Sequence, residues 1–151
     1  MSIIENFEQL NSLEEKLDFV KQLNKKSEFE QALYFYQILK KQFELQGNHD
    51  KVMDCLCGIC QNLGNLGLVK EIEPYLSTYK VYCEKYGDDL AKLKLNSLIG
   101  YISNSIEDYE TTVDYYEAAL AIALKLEDIP RTIYLLINLQ SVYLDLQQID
   151  Q

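Results

Sequence analysis

The chain has no tryptophan, one histidine and two prolines. Basic residues are also scarce, with 14 Lys and Arg against 24 Asp and Glu, a formal net charge of −10. Each shortage closes a class of functions. With His49 as the only imidazole, a Ser-His-Asp or Cys-His nucleophile would have to be built around that one residue. It lies in the turn-like stretch Gly47-Asn48-His49-Asp50, where a solvated turn or cap is its ordinary role. No G-x-x-x-x-G-K-[ST], G-x-G-x-x-G or H-E-x-x-H occurs, so the phosphate loops and helical zinc pairs these patterns encode are missing. No run approaches the roughly 20 apolar residues of a membrane span. The N-terminal stretch MSIIENFEQLNSLEEKLDF lacks the basic start and apolar run of a secretory leader. These features lead us to expect a cytoplasmic protein without catalytic activity, membrane association or cofactor.

The acidic excess is uneven. From Leu95 onward nine acids face only Lys125 and Arg131, a net of −7 that leaves −3 of the −10 for residues 1–94. Gripping phosphates takes Lys and Arg, so nucleic acid is not an expected partner. An acidic surface suits solubility or a basic partner.

What the sequence has is a repeat. Segments beginning at Asn48, Asp88 and Asp128 align at intervals of forty residues. A second set, FEQALYFYQILKKQF from Phe29, LVKEIEPYLSTYKVY from Leu68 and YETTVDYYEAALAIA from Tyr109, alternates with the first at spacings of 39 and 41. The repeating unit is therefore a pair of elements. Both elements read as helices. Tyr75, Tyr79, Tyr82 and Tyr86 fall at i, i+4, i+7 and i+11, and Leu95, Leu98 or Ile99, Ile102 and Ile106 do much the same. Ser12-x-x-Glu15 and Ser27-x-x-Glu30 have capping-box spacing, and Asp128 with Pro130 fits an N-cap with a first-turn proline. Gly47, Gly67 and Gly87 fall between helices, where a reversing chain often needs a positive φ. Seven helices are predicted, at about 13–25, 28–46, 49–64, 68–86, 89–104, 107–126 and 129–147. Pro74 implies that the fourth either starts later or kinks. No Pro/Gly/Ser-rich linker interrupts them, so one domain over 1–151 is expected.

This pattern resembles the tetratricopeptide repeat, whose signature is Leu-Gly-x-x-Tyr in a first helix and Ala-x-x-x-Phe in a second. Leu139-Gln140-x-x-Tyr143 matches except at the glycine. Ile99-Gly100 keeps the glycine, but Ser103 stands at the tyrosine position. Ala32-x-x-x-Tyr36 matches well and Thr112-x-x-x-Tyr116 nearly so, while Glu71-x-x-x-Tyr75 keeps only the aromatic. The period departs from the family's by about six residues, or about 9 Å of helix, and the closing proline is absent. Repeats this long resemble those of peptide-sensing regulators in Gram-positive bacteria and of N-terminal regions of some bacterial signalling enzymes, diguanylate cyclases among them. HEAT-like helix pairs share the period and are the alternative. The fold expected is an all-α solenoid of antiparallel helix pairs.

The stretch CLCGIC puts Cys55, Cys57 and Cys60 within six residues. On a helix, Leu56, Ile59 and Leu63 form one stripe, equivalent to Leu136, Leu139 and Tyr143 of the last helix. Cys60 takes the place of Gly100, a small residue that lets the paired helix approach. Buried cysteine behaves as a small hydrophobe, and that is the reading adopted. The alternative is a metal or thiol site on Cys57 and Cys60. It lacks the four ligands of structural zinc and the helix N-terminus that lowers a redox thiol's pKa. Acid pairs such as Asp88-Asp89 and Glu107-Asp108 fall at helix starts, where the dipole favours them without any catalytic role.

The resemblance implies a concave face lined by the first helix of each pair, which would bind a protein or peptide. One step off the packing stripe stand Asp54, Cys57 and Gln61 on the third helix. Lys94, Ser97, Tyr101 and Asn104 take those places on the fifth, and Tyr134, Ile137 and Ser141 on the seventh. The last helix, RTIYLLINLQSVYLDL, is apolar nearly all round, as expected of a helix covered on more than one side. Two explanations are expected: the chain is the N-terminal part of a longer protein, or it forms a homodimer or scaffold through this helix.

Overall fold

The computed structural model describes residues 1–150. It is all α, with no strand among these residues. The helices are α1 (Ile3–Glu8), α2 (Leu13–Lys25), α3 (Phe29–Gln46), α4 (His49–Asn65), α5 (Ile72–Tyr86), α6 (Asp89–Ser105), α7 (Tyr109–Lys125) and α8 (Ile129–Ile149). A 3₁₀ turn, Val69–Glu71, precedes α5. Pro74 therefore lies in the first turn of α5, and of the two outcomes expected for it the later helix start is the one found. The short α1 was not expected. It opens with a complete capping box: the Glu5 amide donates to Ser2 Oγ (3.2 Å), and the Ser2 amide donates to the Glu5 carboxylate (2.8 Å).

The corners repeat every twenty residues. Ser27, Gly47, Gly67, Glu107 and Glu127 all adopt a left-handed φ, between 54° and 75°. The residue after each donates its amide five positions back: Glu28 to Leu23, Asn48 to Phe43, Leu68 to Leu63, Asp108 to Ser103 and Asp128 to Ala123. This closure satisfies carbonyls that the helix end would leave bare. The same residue then begins the next helix, and the side chains of Asn48, Asp88, Asp108 and Asp128 each accept an amide there.

Two expectations about the corners are corrected. Ser27 and Glu30 form no capping box, because Ser27 is itself the left-handed residue that ends α2, and Glu28 caps α3 without a side-chain bond. Gly87 does not adopt a positive φ. Its requirement is closeness, since a Cβ there would meet the Cys83 carbonyl oxygen at 2.5 Å. At Ser12 the box is half made: Ser12 Oγ accepts from the Glu15 amide, while the Glu15 carboxylate accepts from the Asn11 amide.

The chain divides into two compact units, Met1–Tyr79 and Lys80–Gln151. In the first, α2 packs on α3 and α3 on α4. Phe7 of α1 stacks on Phe35 of α3, with ring centroids 4.2 Å apart, and Phe19 meets Phe35 edge-on. The core continues through Leu39, Phe43, Leu56 and Ile59, all fully buried. The tyrosine face of α5 is buried at Tyr79, while Tyr75 is half-buried and its hydroxyl accepts from Gln37 of α3 (3.1 Å).

In the second unit α7 lies between α6 and α8. Leu93, Tyr116, Ala119, Ala123, Leu135, Leu139 and Val142 make its core. Tyr116 packs its ring on Gly100, where a Cβ would come within 2.5 Å of it. Lys125 closes the far side with an ion pair to Asp89 (2.9 Å). The apolar stripe assigned to the last helix is corrected. Leu139 is in the core, but Leu136 and Tyr143 are exposed, and Leu135 and Val142 are the residues buried beside Leu139.

Candidate functional site

The first-helix face divides by unit. In the first unit Asp54, Cys57 and Gln61 form a half-buried row along α4. Asp54 pairs with Lys21 of α2 across 3.6 Å. In the second unit Lys94, Ser97, Tyr101 and Asn104 form the matching half-buried row on α6, whereas Tyr134, Ile137 and Ser141 of α8 are exposed. Two of the expected residues are drawn together here. Tyr101 and Tyr134 both lie near enough to the buried Tyr116 to act on its hydroxyl. Burial, followed by the neighbouring Tyr134, pushes the Tyr101 phenol above its ordinary pKa. The same two causes push Tyr116 higher still. The Tyr101 and Tyr116 phenols therefore stay protonated near neutrality and can each donate as well as accept. Asn104 leaves its Oδ1 buried without a hydrogen-bond partner among the described residues.

The cysteines behave as a packing surface. Cys55 and Cys60 are fully buried, and burial pushes each thiol up to about 12. A metal ligand or redox nucleophile needs the opposite shift, because the thiolate is the reactive form. Among the described residues no three His, Cys, Asp or Glu side chains gather closely enough to hold a metal ion. Cys57 is half-buried and in no disulfide. One detail of the expected packing is corrected. In α4 the glycine that admits a neighbouring ring is Gly58, under Tyr36 of α3 at 2.5 Å, rather than a small residue at Cys60. The Cys60 thiol is raised by burial first, then by the neighbouring Cys57 and Glu73 of α5.

Sequence reasoning did not locate the groove between α7 and α8, which has a volume of about 440 Å³. Glu117 and Leu120 form one wall, and Leu136, Gln140, Tyr143 and Leu144 the other. The Tyr143 hydroxyl donates to the Glu117 carboxylate across it, and that bond holds the phenol proton, raising its pKa. The apolar character of the last helix was the available signal. Its register was not, because leucine or isoleucine stands at 135, 136, 137 and 139.

No known family model matches the chain, and no curated protein matches it. No helix among the described residues is long and apolar enough to cross a membrane.

Proposed function

We propose that this chain is a non-catalytic protein- or peptide-binding module of the tetratricopeptide type. It would act in the cytoplasm as a sensory or regulatory region of a bacterial signalling protein, with a peptide-responsive regulator or a diguanylate cyclase as the analogues in view. One observation supports the binding role most strongly. The half-buried row Lys94, Ser97, Tyr101 and Asn104 offers mixed polar and aromatic chemistry on one helix face, and Tyr134 joins it from α8. Tyrosines held this way lose little rotamer freedom on binding and present both ring and hydroxyl, which is why Tyr is enriched among residues that dominate interfaces. The buried thiols favour packing over the metal or thiol alternative at Cys57 and Cys60.

The test is affinity capture from the source cell with the whole chain as bait, comparing wild type with Tyr101→Ala/Asn104→Ala. Far-UV circular dichroism should establish that both baits are folded. Partners that are captured by wild type and lost from the variant support the reading. An unchanged set of partners removes this face as the binding site.

A further inference from the structure

We propose that the groove between α7 and α8 is a second docking site, and that its occupant is an amphipathic helix of a partner protein carrying basic residues along one edge. The site is separate from the face bearing Tyr101 and Asn104. The argument begins with an internal comparison. α6 and α8 start from the caps Asp88 and Asp128, so their positions correspond at an interval of forty. On α6, Leu93, Gly100 and Ser103 are buried, and α7 covers that side by setting Tyr116 on Gly100. The corresponding residues of α8 are Ile133, Gln140 and Tyr143, and none is buried. Ile133 is 52% exposed and Tyr143 43%, with Leu136 at 51% and Leu144 at 54% beside them. α8 thus presents openly the side that α6 gives to a helix. The shape that fits is a helix lying along α8 as α7 lies along α6.

Charge identifies the kind of helix. Glu110, Asp114 and Glu117 stand at i, i+4 and i+7 on α7 and are all exposed, forming an acidic row on the edge where Glu117 lines the groove. The two basic residues beyond Leu95 do not neutralise it: Lys125 is paired with Asp89 and Arg131 with Asp128. A second copy of the chain would bring a like-charged row and a net charge of −10 to the same edge. A basic flank on the incoming helix is attracted there instead. Position 140 adds a size rule. Gln140 stands where α6 has Gly100, so a ring cannot seat as closely as Tyr116 does, and the occupant needs a small residue opposite it.

The test uses the full chain and a fluorescein-labelled helical peptide of about 18 residues, or five turns. The peptide has leucines at i, i+3/i+4 and i+7, alanine elsewhere on that face, and lysines along one edge. A control peptide carries glutamate in place of each lysine. Fluorescence anisotropy is expected to show the basic peptide binding at least tenfold more tightly than the acidic one. That affinity should fall at least tenfold in Leu136→Ser/Leu144→Ser. In Glu110→Gln/Asp114→Asn the preference for the basic peptide should shrink severalfold, together with the loss of affinity between about 50 and about 500 mM NaCl. All four substituted side chains are exposed, so the variants should keep wild-type circular dichroism, and either pair alone can decide the question. Equal binding of the two peptides overturns the proposal, as does binding indifferent to Leu136→Ser/Leu144→Ser. Light scattering that reports a dimer dispersed by those same serines would also overturn it, making a second copy the occupant.

Discussion

The ring of Tyr116 lies flush against Gly100, and a methyl group at that glycine would stand 2.5 Å from the ring. Tyr36 and Gly58 repeat the arrangement in the other unit, again at 2.5 Å. In each case a buried aromatic on one helix uses the missing Cβ of a helix packed against it, the preceding one for Tyr116 and the following one for Tyr36. Alanine is better than glycine in a helix interior by about 1 kcal/mol, but a clash with a fully buried ring costs typically 1–3 kcal/mol. Gly100→Ala and Gly58→Ala should therefore each leave a net destabilisation of up to about 2 kcal/mol in urea unfolding. Adding Tyr116→Leu to Gly100→Ala should cost less than the sum of the separate changes, because the smaller side chain vacates the contested space. Strict additivity would mean that the two residues do not meet.

The left-handed corners offer a test of backbone alone. Gly47 and Gly67 have nothing within 4 Å of a would-be Cβ, so alanine there meets no clash and only the left-handed conformation opposes it. Each substitution should cost about 1 kcal/mol. The reverse change is available at Glu107 and Glu127, which adopt the same conformation with a side chain. Glu107→Gly and Glu127→Gly should raise the melting temperature, each by an amount corresponding to about 1 kcal/mol or less once glycine's extra chain entropy is deducted. If all four substitutions destabilised, the corners would be held by the side chains rather than by φ.

These corners also show what the sequence could reveal and what it could not. The forty-residue repeat was legible because helix periodicity and Asp caps recur, and Asn48, Asp88 and Asp128 were readable as starts. The shorter twenty-residue step was hidden, because its marker residues are Ser27, Gly47, Gly67, Glu107 and Glu127, and only glycine announces a left-handed conformation. Ser27 with Glu30 imitated a capping box, but the Leu23 carbonyl takes the amide of Glu28 and draws Ser27 into the preceding helix's closure. The helix α1 was missed because six residues show too little periodicity to be read. Of the candidate site, the half-buried rows on α4 and α6 followed from periodicity. The meeting of Tyr101 and Tyr134 around Tyr116 depends on helix packing that spacing does not encode.

The register of α8 gives the sharpest discrimination, since it separates two adjacent leucines. Leu135 is fully buried, and Leu136 is 51% exposed. Truncating a buried leucine removes its contacts and leaves a cavity, costing about 2–5 kcal/mol. Truncating an exposed one typically changes stability by about 0.5 kcal/mol or less. Leu135→Ala should therefore lower the urea midpoint strongly, and Leu136→Ala should leave it nearly unchanged. The reverse result would restore the apolar stripe through Leu136 and Tyr143 that helical spacing suggests.

The thiols of α4 make the stability pH-dependent in a stated direction. Cys55 and Cys60 titrate at about 12 in the folded chain because burial disfavours the thiolate, against an ordinary value of 9.0. Below pH 9 both folded and unfolded chains hold these protons, so the two groups add no pH dependence. Between about 9 and about 12 the unfolded chain releases them while the folded chain keeps them. Unfolding is then favoured by up to about 1.4 kcal/mol per pH unit for each thiol. Urea unfolding followed from pH 7 to pH 10.5 should show a loss of stability setting in above pH 9. In Cys55→Ala/Cys60→Ala the loss should be shallower, even though the variant starts from a lower stability at pH 7. Thiol titration with Ellman's reagent at pH 8 provides the kinetic counterpart: Cys55 and Cys60 should react only on unfolding, at a rate that rises with urea. Prompt reaction of both in the native chain would show that CLCGIC is open to solvent and would return the Cys57–Cys60 pair to consideration as a reactive site.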